Sequence, residues 1–152
     1  MKYSSYKVDV FKVANYILCK ASPEIGDAIT NLKLQKLLYY SQGFVLAITG
    51  KSLFVQPIFA WEHGPVVKEV YDHYKSFKAN GIEPEEKGLK YYKELKDKKL
   101  DEIIDEVWEV YGQFSAWKLR NITHSEPPWQ ATPKGCEISL DSLHEYFKTR
   151  LK

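Results

Sequence analysis

Thr30-Asn31-Leu32-Lys33-Leu34-Gln35-Lys36-Leu37-Leu38-Tyr39-Tyr40-Ser41-Gln42-Gly43-Phe44-Val45-Leu46-Ala47-Ile48 is the stretch whose reading decides the fold. Leu34, Leu37, Leu38, Ser41, Phe44, Val45 and Ile48 recur at helical spacing and give one almost wholly apolar face. Thr30 can cap the start, because its hydroxyl accepts from an otherwise unpaired amide of the first turn. Gly50 can end the helix by entering the left-handed conformation. Leu32, Tyr39, Tyr40, Leu46 and Ala47 make much of the other face apolar too. A helix apolar on both sides is a central one, so Leu34, Leu37, Leu38, Phe44 and the later Trp61 are expected to be buried.

The period changes immediately afterwards. Ser52-Leu53-Phe54-Val55-Gln56-Pro57-Ile58-Phe59-Ala60-Trp61 is rich in β-branched and aromatic residues and is broken by Pro57. Proline cannot donate to a sheet ladder, so this reads as an edge strand, two short strands or an extended crossing. Trp61-Glu62-His63-Gly64-Pro65-Val66-Val67 then forms a turn, and Pro65 suits the first position of a following helix. Val66, Val67, Val70, Tyr71, Tyr74 and Phe77 mark that helix, and Asn80-Gly81 carries a C-cap signal.

Upstream, Met1 to Tyr6 reads as a short leader. Val8, Phe11, Ala14, Asn15, Ile17 and Leu18 describe a first amphipathic helix ending near Ala21-Ser22-Pro23. Pro23 to Ile29 is then a loop. Downstream, Glu83 to Asp97 is charged in both signs and reads as a loop followed by an exposed helix or helical turn. Leu100, Ile103, Ile104, Val107, Trp108 and Tyr111 give a fourth amphipathic helix closed by Gly112. Ser115 resembles an N-cap for a short helix through Ala116, Leu119 and Ile122. Thr123-His124-Ser125-Glu126-Pro127-Pro128-Trp129 is expected to be non-helical because of its two prolines. A last helix from about Ser139 carries Leu140, Leu143, Tyr146, Phe147 and Leu151.

Composition narrows the function classes. The 152 residues suit one domain with a sizeable core, and 44% hydrophobic with 14% aromatic residues is a folded composition. The 22 basic and 20 acidic side chains leave a net charge of +2, which gives no bulk argument for nucleic acid or an anionic membrane. Lys2, Lys7, Asp9 and Lys12 interrupt any apolar run at the start, so no secretory leader is expected. Two isolated cysteines, Cys19 and Cys136, fit a reducing cytoplasm better than a disulfide scaffold.

Signatures of catalysis are missing from the sequence. It has no glycine-rich phosphate loop, no nucleophile elbow and no two-His metalloprotease helix. His63, His73, His124 and His144 are scattered, so no metal site, cofactor or catalytic residue is assigned. Asp101, Glu102, Asp105, Glu106 and Glu109 read as a solvated helix face. Two constellations allow two readings each. Trp61, Glu62, His63, Gly64 and Pro65 could present an imidazole beside a helix N-terminus, or simply anchor a turn. Thr123, His124 and Trp129 could form a pocket or a catalytic base, or tie down a capped helix end. Packing is the favoured reading for each. Finding both on one face of the fold would shift the balance toward a site.

The same residues carry a family resemblance. Asn31 to Tyr40 resembles the opening motif of the Panacea domain, the family of SocA-like antitoxins and GepA-type phage-associated proteins. Ala60-Trp61-Glu62-His63-Gly64-Pro65-Val66 followed by Tyr71 matches its second motif. Trp108-Glu109-Val110-Tyr111-Gly112, Ser115, Leu119, Thr123-His124 and Pro128-Trp129 match its C-terminal motifs in order. The resemblance runs from the first helix to about Phe147, leaving the charged segment from Glu83 to Lys99 unmatched. It implies a small cytoplasmic bacterial or prophage protein that neutralises a cognate protein toxin by contact, with a protease as an open second partner. It also implies that Leu34, Gln35, Lys36, Leu37, Trp61, His63, Gly64, Pro65, Thr123, His124, Pro128 and Trp129 are motif positions of mainly structural use.

The reading is therefore a mainly α, single-domain helical bundle over residues 1–152, with a short extended or two-stranded β element after the central helix. Its function is that of an antitoxin-like binding module. Two other classes stay open: a small hydrolase or nuclease using His63 or His124, and a nucleic-acid-binding regulator using Lys7, Lys12, Lys33, Lys36 and the C-terminal basic residues. With 4 Trp, 11 Tyr and 7 Phe, the chain has aromatic residues to spare for a contact surface. Tyr39, Tyr40, Tyr91, Tyr92 and Trp117 lie off the clearest apolar stripes, so they are expected to be partly exposed and are the expected partner-binding residues.

Overall fold

A computed structural model describes residues 2–21, 28–84 and 97–151. The elements among them are α1 (Val10–Leu18), α2 (Asn31–Thr49), β1 (Ile58–Trp61), β2 (Gly64–Val66) and α3 (Lys68–Tyr74). A 3-10 turn (Lys75–Phe77) follows, then α4 (Lys98–Tyr111), α5 (Ala116–His124), α6 (Pro127–Gln130), β3 (Glu137–Ile138) and α7 (Leu140–Lys148). The fold is mainly helical with a small antiparallel sheet. The Tyr91–Tyr92 pair and most of the charged segment around it lie outside the described residues, as does most of the loop before α2.

Helix α2 forms where its caps and pattern place it. Thr30 accepts from the Lys33 amide at the start, and Gly50 ends the helix at φ 79°. α1, α3, α4, α5, α7 and β2 all pack on it, which is why both of its faces are dry. Leu34, Leu37 and Leu38 are buried as expected, whereas Phe44 and Trp61 are half-buried. Phe44 lies near the C-terminal end of α2, against the rings of Tyr111 and Phe147, while Ile48 one turn on is exposed. Trp61 ends β1 and packs edge-on against Tyr71. A Cβ on Gly43 would come within 2.2 Å of the Phe147 ring, so this glycine lets α7 close onto α2.

The polar residues of α2 fasten the segments around it. Gln42 accepts from the Leu53 amide and donates to the Phe54 carbonyl. Gln35 accepts from the Val67 amide, Asn31 donates to the Tyr71 carbonyl, and Lys33 donates to the Gly112 carbonyl at 2.6 Å. Buried polar side chains are tolerable only when bonded, and here their partners are backbone groups of connecting segments. The central helix is thus both core and clamp.

Several local expectations are extended or corrected. The two-stranded element after α2 is present as β1 and β2, and Glu137–Ile138 adds a third strand on the other edge of β1, giving the order β2-β1-β3. Pro65 sits in β2 opposite Ala60, and the helix starts only at Lys68. Ala60 spends its amide on Cys136 and its carbonyl on Gly135, on the β3 side, so the position facing it needs no amide hydrogen and accepts a proline. Pro127 and Pro128 do enter a helix, the one-turn α6, at first positions whose amide hydrogens would be unbonded anyway. Asn80-Gly81 does not cap α3. The 3-10 turn ends at Lys78, itself at φ 55°, and the Asn80 amide returns to Phe77. The N-terminal segment, expected as a short leader, is bonded to the chain after α2: the Tyr6 and Val8 amides donate to the Ser52 and Leu53 carbonyls, and the Ser52 amide donates to the Ser4 carbonyl.

Candidate partner-binding site

Three motif segments distant in sequence meet at Gly64. It has φ 111°, a conformation that disfavours side chains, and a Cβ there would lie 2.6 Å from Lys36 Cε and 3.0 Å from Thr123 Oγ1. Lys36 comes from α2, Gly64 from the start of β2, and Thr123 from α5. Beneath the turn, Lys36 Nζ donates to the Pro65 carbonyl at 3.1 Å. Its side chain is fully buried, and burial, with a smaller push from the Arg120 charge, lowers its pKa to about 7. Thr123 Oγ1 donates to the Arg120 carbonyl at 2.9 Å.

Trp129 closes the other side by donating its indole N–H to the Trp61 carbonyl at 2.8 Å. The His124 ring stacks on Trp129, with centroids 4.0 Å apart and planes 9° from parallel. Lys134 Nζ lies 3.4 Å from the Trp129 centroid, which sterically places it on the opposite face. Burial, and to a smaller extent the Arg120 charge, lowers the His124 pKa, with the Glu62 backbone pulling the other way. The His124 Nε2 is buried with no partner among the described residues.

His63 stands on the same face. Its Nδ1 accepts from Arg120 Nε at 3.2 Å, and Arg120 Nη1 donates to Asn121 at 3.1 Å. The guanidinium lies 4.4 Å from the centroid of Trp117, one helical turn back on α5. Trp117 is 57% exposed. His63 and His124 are therefore brought onto one face with Arg120 between them. The arrangement is a surface built on packing, with Lys36, Thr123 and Trp129 spent on backbone carbonyls. It does not present a nucleophile beside a base, since the His63 lone pair receives Arg120 and the Thr123 hydroxyl donates to a carbonyl. No group of three or more His, Cys, Asp or Glu among the described residues could hold a metal.

The exposure expected of Tyr39 and Tyr40 is wrong. Both are 0% exposed, because their hydroxyls donate to the two oxygens of Glu126 at 3.0 Å each. Tyr146 donates to the same carboxylate at 3.1 Å, and Tyr40 stacks on Tyr111 at 3.8 Å. Burial raises the Glu126 pKa against the pull of the three hydroxyls and raises those of Tyr39 and Tyr40 further still. A polar tip satisfied inside lets a tyrosine leave the surface. Of the five expected contact residues, Trp117 is the one described as exposed. Lys33 and Lys36 are likewise buried, which removes two of the cations that supported a nucleic-acid reading.

Sequence reasoning missed Glu126 and Arg120. An acid between a serine and two prolines carries no periodic signal for burial. Arg120 does carry one, since it lies three residues after Trp117 on one helix.

Residues 34–130 match the model of the Antitoxin SocA-like, Panacea domain family. The chain belongs to that family. It is 34% identical over 148 residues to Antitoxin SocA of Caulobacter vibrioides (strain NA1000 / CB15N), covering 88% of this chain and 74% of that one. No solved structure matches the chain significantly. The matched segment of this SocA-like chain contains all three motif segments that meet at Gly64, from Lys36 to Trp129. No helix among the described residues is long and apolar enough to cross a membrane.

Proposed function

We propose that this SocA-like chain is an antitoxin that neutralises a cognate protein toxin by direct contact, without catalysis, in the bacterial or prophage cytoplasm. The observation that carries the reading is the juxtaposition of exposed Trp117 with Arg120 and His63, directly over the motif cluster of an antitoxin family. Tryptophan and arginine are the residues most often found to dominate binding energy at protein interfaces. They suit such a surface because each buries much area at little entropic cost when already stacked.

Growth rescue tests this. Co-expression with the toxic reading frame adjacent to its gene is expected to restore growth, and Trp117→Ala to weaken the rescue while the folded state persists. A wild-type chain that never restores growth and binds no neighbouring product overturns the proposal. Rescue undiminished by Trp117→Ala moves the contact surface elsewhere.

A further inference from the structure

We infer that the surface around Trp117 is built to receive an acidic protein segment, with Arg120, Lys118 and Lys134 as its charge-reading groups. This rests on the contact reading above for the occupant's being protein, and adds its chemistry. Among the described residues, the ion pairs are Lys2–Asp141, Lys20–Asp105 and Lys68–Asp72, so none of these three cations has a carboxylate partner. Arg120 is held instead by His63 Nδ1 and Asn121 Oδ1. An arginine has five N–H donors. These two bonds fix its plane and leave its remaining donors for a further acceptor.

Lys134 is pre-positioned by its seat on Trp129, whereas Lys118, the residue after Trp117 on α5, is exposed. Lys134 lies on Trp129, whose indole N–H is bonded to the Trp61 carbonyl, and His63, two residues on, holds Arg120, so both cations are placed around the same β1–β2 turn. One acidic side chain, exposed Glu62, follows Trp61 on the rim. An incoming carboxylate would find a planar guanidinium held by its stacking partner, the geometry that favours two-point recognition. An aromatic or aliphatic neighbour in the same segment would cover the exposed Trp117 ring.

Protein fits better than nucleic acid. A duplex backbone is commonly held by roughly 6–10 phosphate contacts. Here, among the described residues, three cations without a carboxylate partner stand on this surface of a chain whose net charge is +2.

The test uses fluorescein-labelled peptides of about a dozen residues in which Glu alternates with Phe and Leu, and twins with Gln for Glu. Anisotropy against the full chain is expected to show the acidic peptide binding about tenfold or more tighter than its twin at low salt, with the advantage shrinking as salt rises. Lys118→Glu with Lys134→Glu, both exposed and outside the buried cluster, should abolish that advantage, and Trp117→Ala should weaken both peptides. Equal binding of the twins, or no loss in the double variant, overturns the inference. So does a single-stranded oligonucleotide of similar length that binds tighter than the acidic peptide.

Growth rescue separates the two readings. Wild-type rescue that survives Lys118→Glu, Arg120→Glu and Lys134→Glu together overturns the acidic-segment inference and leaves the antitoxin reading standing. Rescue lost in that variant, but kept when Lys7, Lys12 and Lys148 are reversed instead, supports both.

Discussion

Lys36 has no exposed surface and makes its hydrogen bond to a single carbonyl, that of Pro65. Its folded pKa of about 7 lies far below the ordinary 10.5, so between those values the unfolded chain holds a proton that the folded chain has released. Stability therefore rises with pH through that window. The unfolding free energy of the wild type, measured with urea at pH 7 and pH 9, should increase more than that of Lys36→Met; equal increments would contradict the burial of a charged amine. Glu126 acts with the opposite sign: its raised folded pKa gives a contribution present at low pH and lost as pH rises through the folded value. Its three hydroxyl donors limit that loss. Tyr40→Phe should therefore cost about 1.5–3 kcal/mol at neutral pH, the range for a bond to a charged group. An unchanged urea midpoint would show that the bond to Glu126 contributes nothing. Neither network was visible in the sequence, because Tyr39-Tyr40 and Glu126 lie more than eighty positions apart and tyrosine suits both surface and core.

At the scale of elements, the long helices were legible and the short pieces were not. α2, α4 and α7 are each set by a side-chain cap and a run of apolar residues at helical spacing, information contained within the element. β2 and β3 are three and two residues long, too short for any period, and exist because β1 offers both edges. Pro65 was misplaced for the same reason: whether a proline opens a helix or lines a strand depends on which partner groups face it. The motif segments were legible as positions, but their meeting at Gly64 depends on tertiary closure. Two substitutions probe this level. Leu38→Ala should cost about 2–5 kcal/mol, since the side chain is fully buried under the elements packed on α2. Gly64→Ala should cost about 1–3 kcal/mol through backbone strain at its positive φ, and more if Lys36 cannot yield. Midpoints unaltered in chemical denaturation would remove the central helix and the turn, respectively, from these roles.

For the molecule as a whole, two surfaces among the described residues offer a partner binding energy. One is the Trp117–Arg120–His63 face. The other is a groove of about 710 Å³ bordered by Phe44, Ile48, Val107, Val110 and Leu151 on α2, α4 and the end of the chain after α7. The first is preferred because it joins an exposed tryptophan to cations that have no carboxylate partner among the described residues, above the family motifs. Variants in the groove, such as Val110→Glu, should leave growth rescue intact, while Trp117→Ala should reduce it. Contact and catalysis differ most directly in stoichiometry. Titrating the purified neighbouring toxin with this chain, and following toxin activity, should give an end point at a fixed molar ratio matching the complex seen by light scattering. Neutralisation completed at strongly substoichiometric amounts of the chain, with no complex formed, would contradict the contact account.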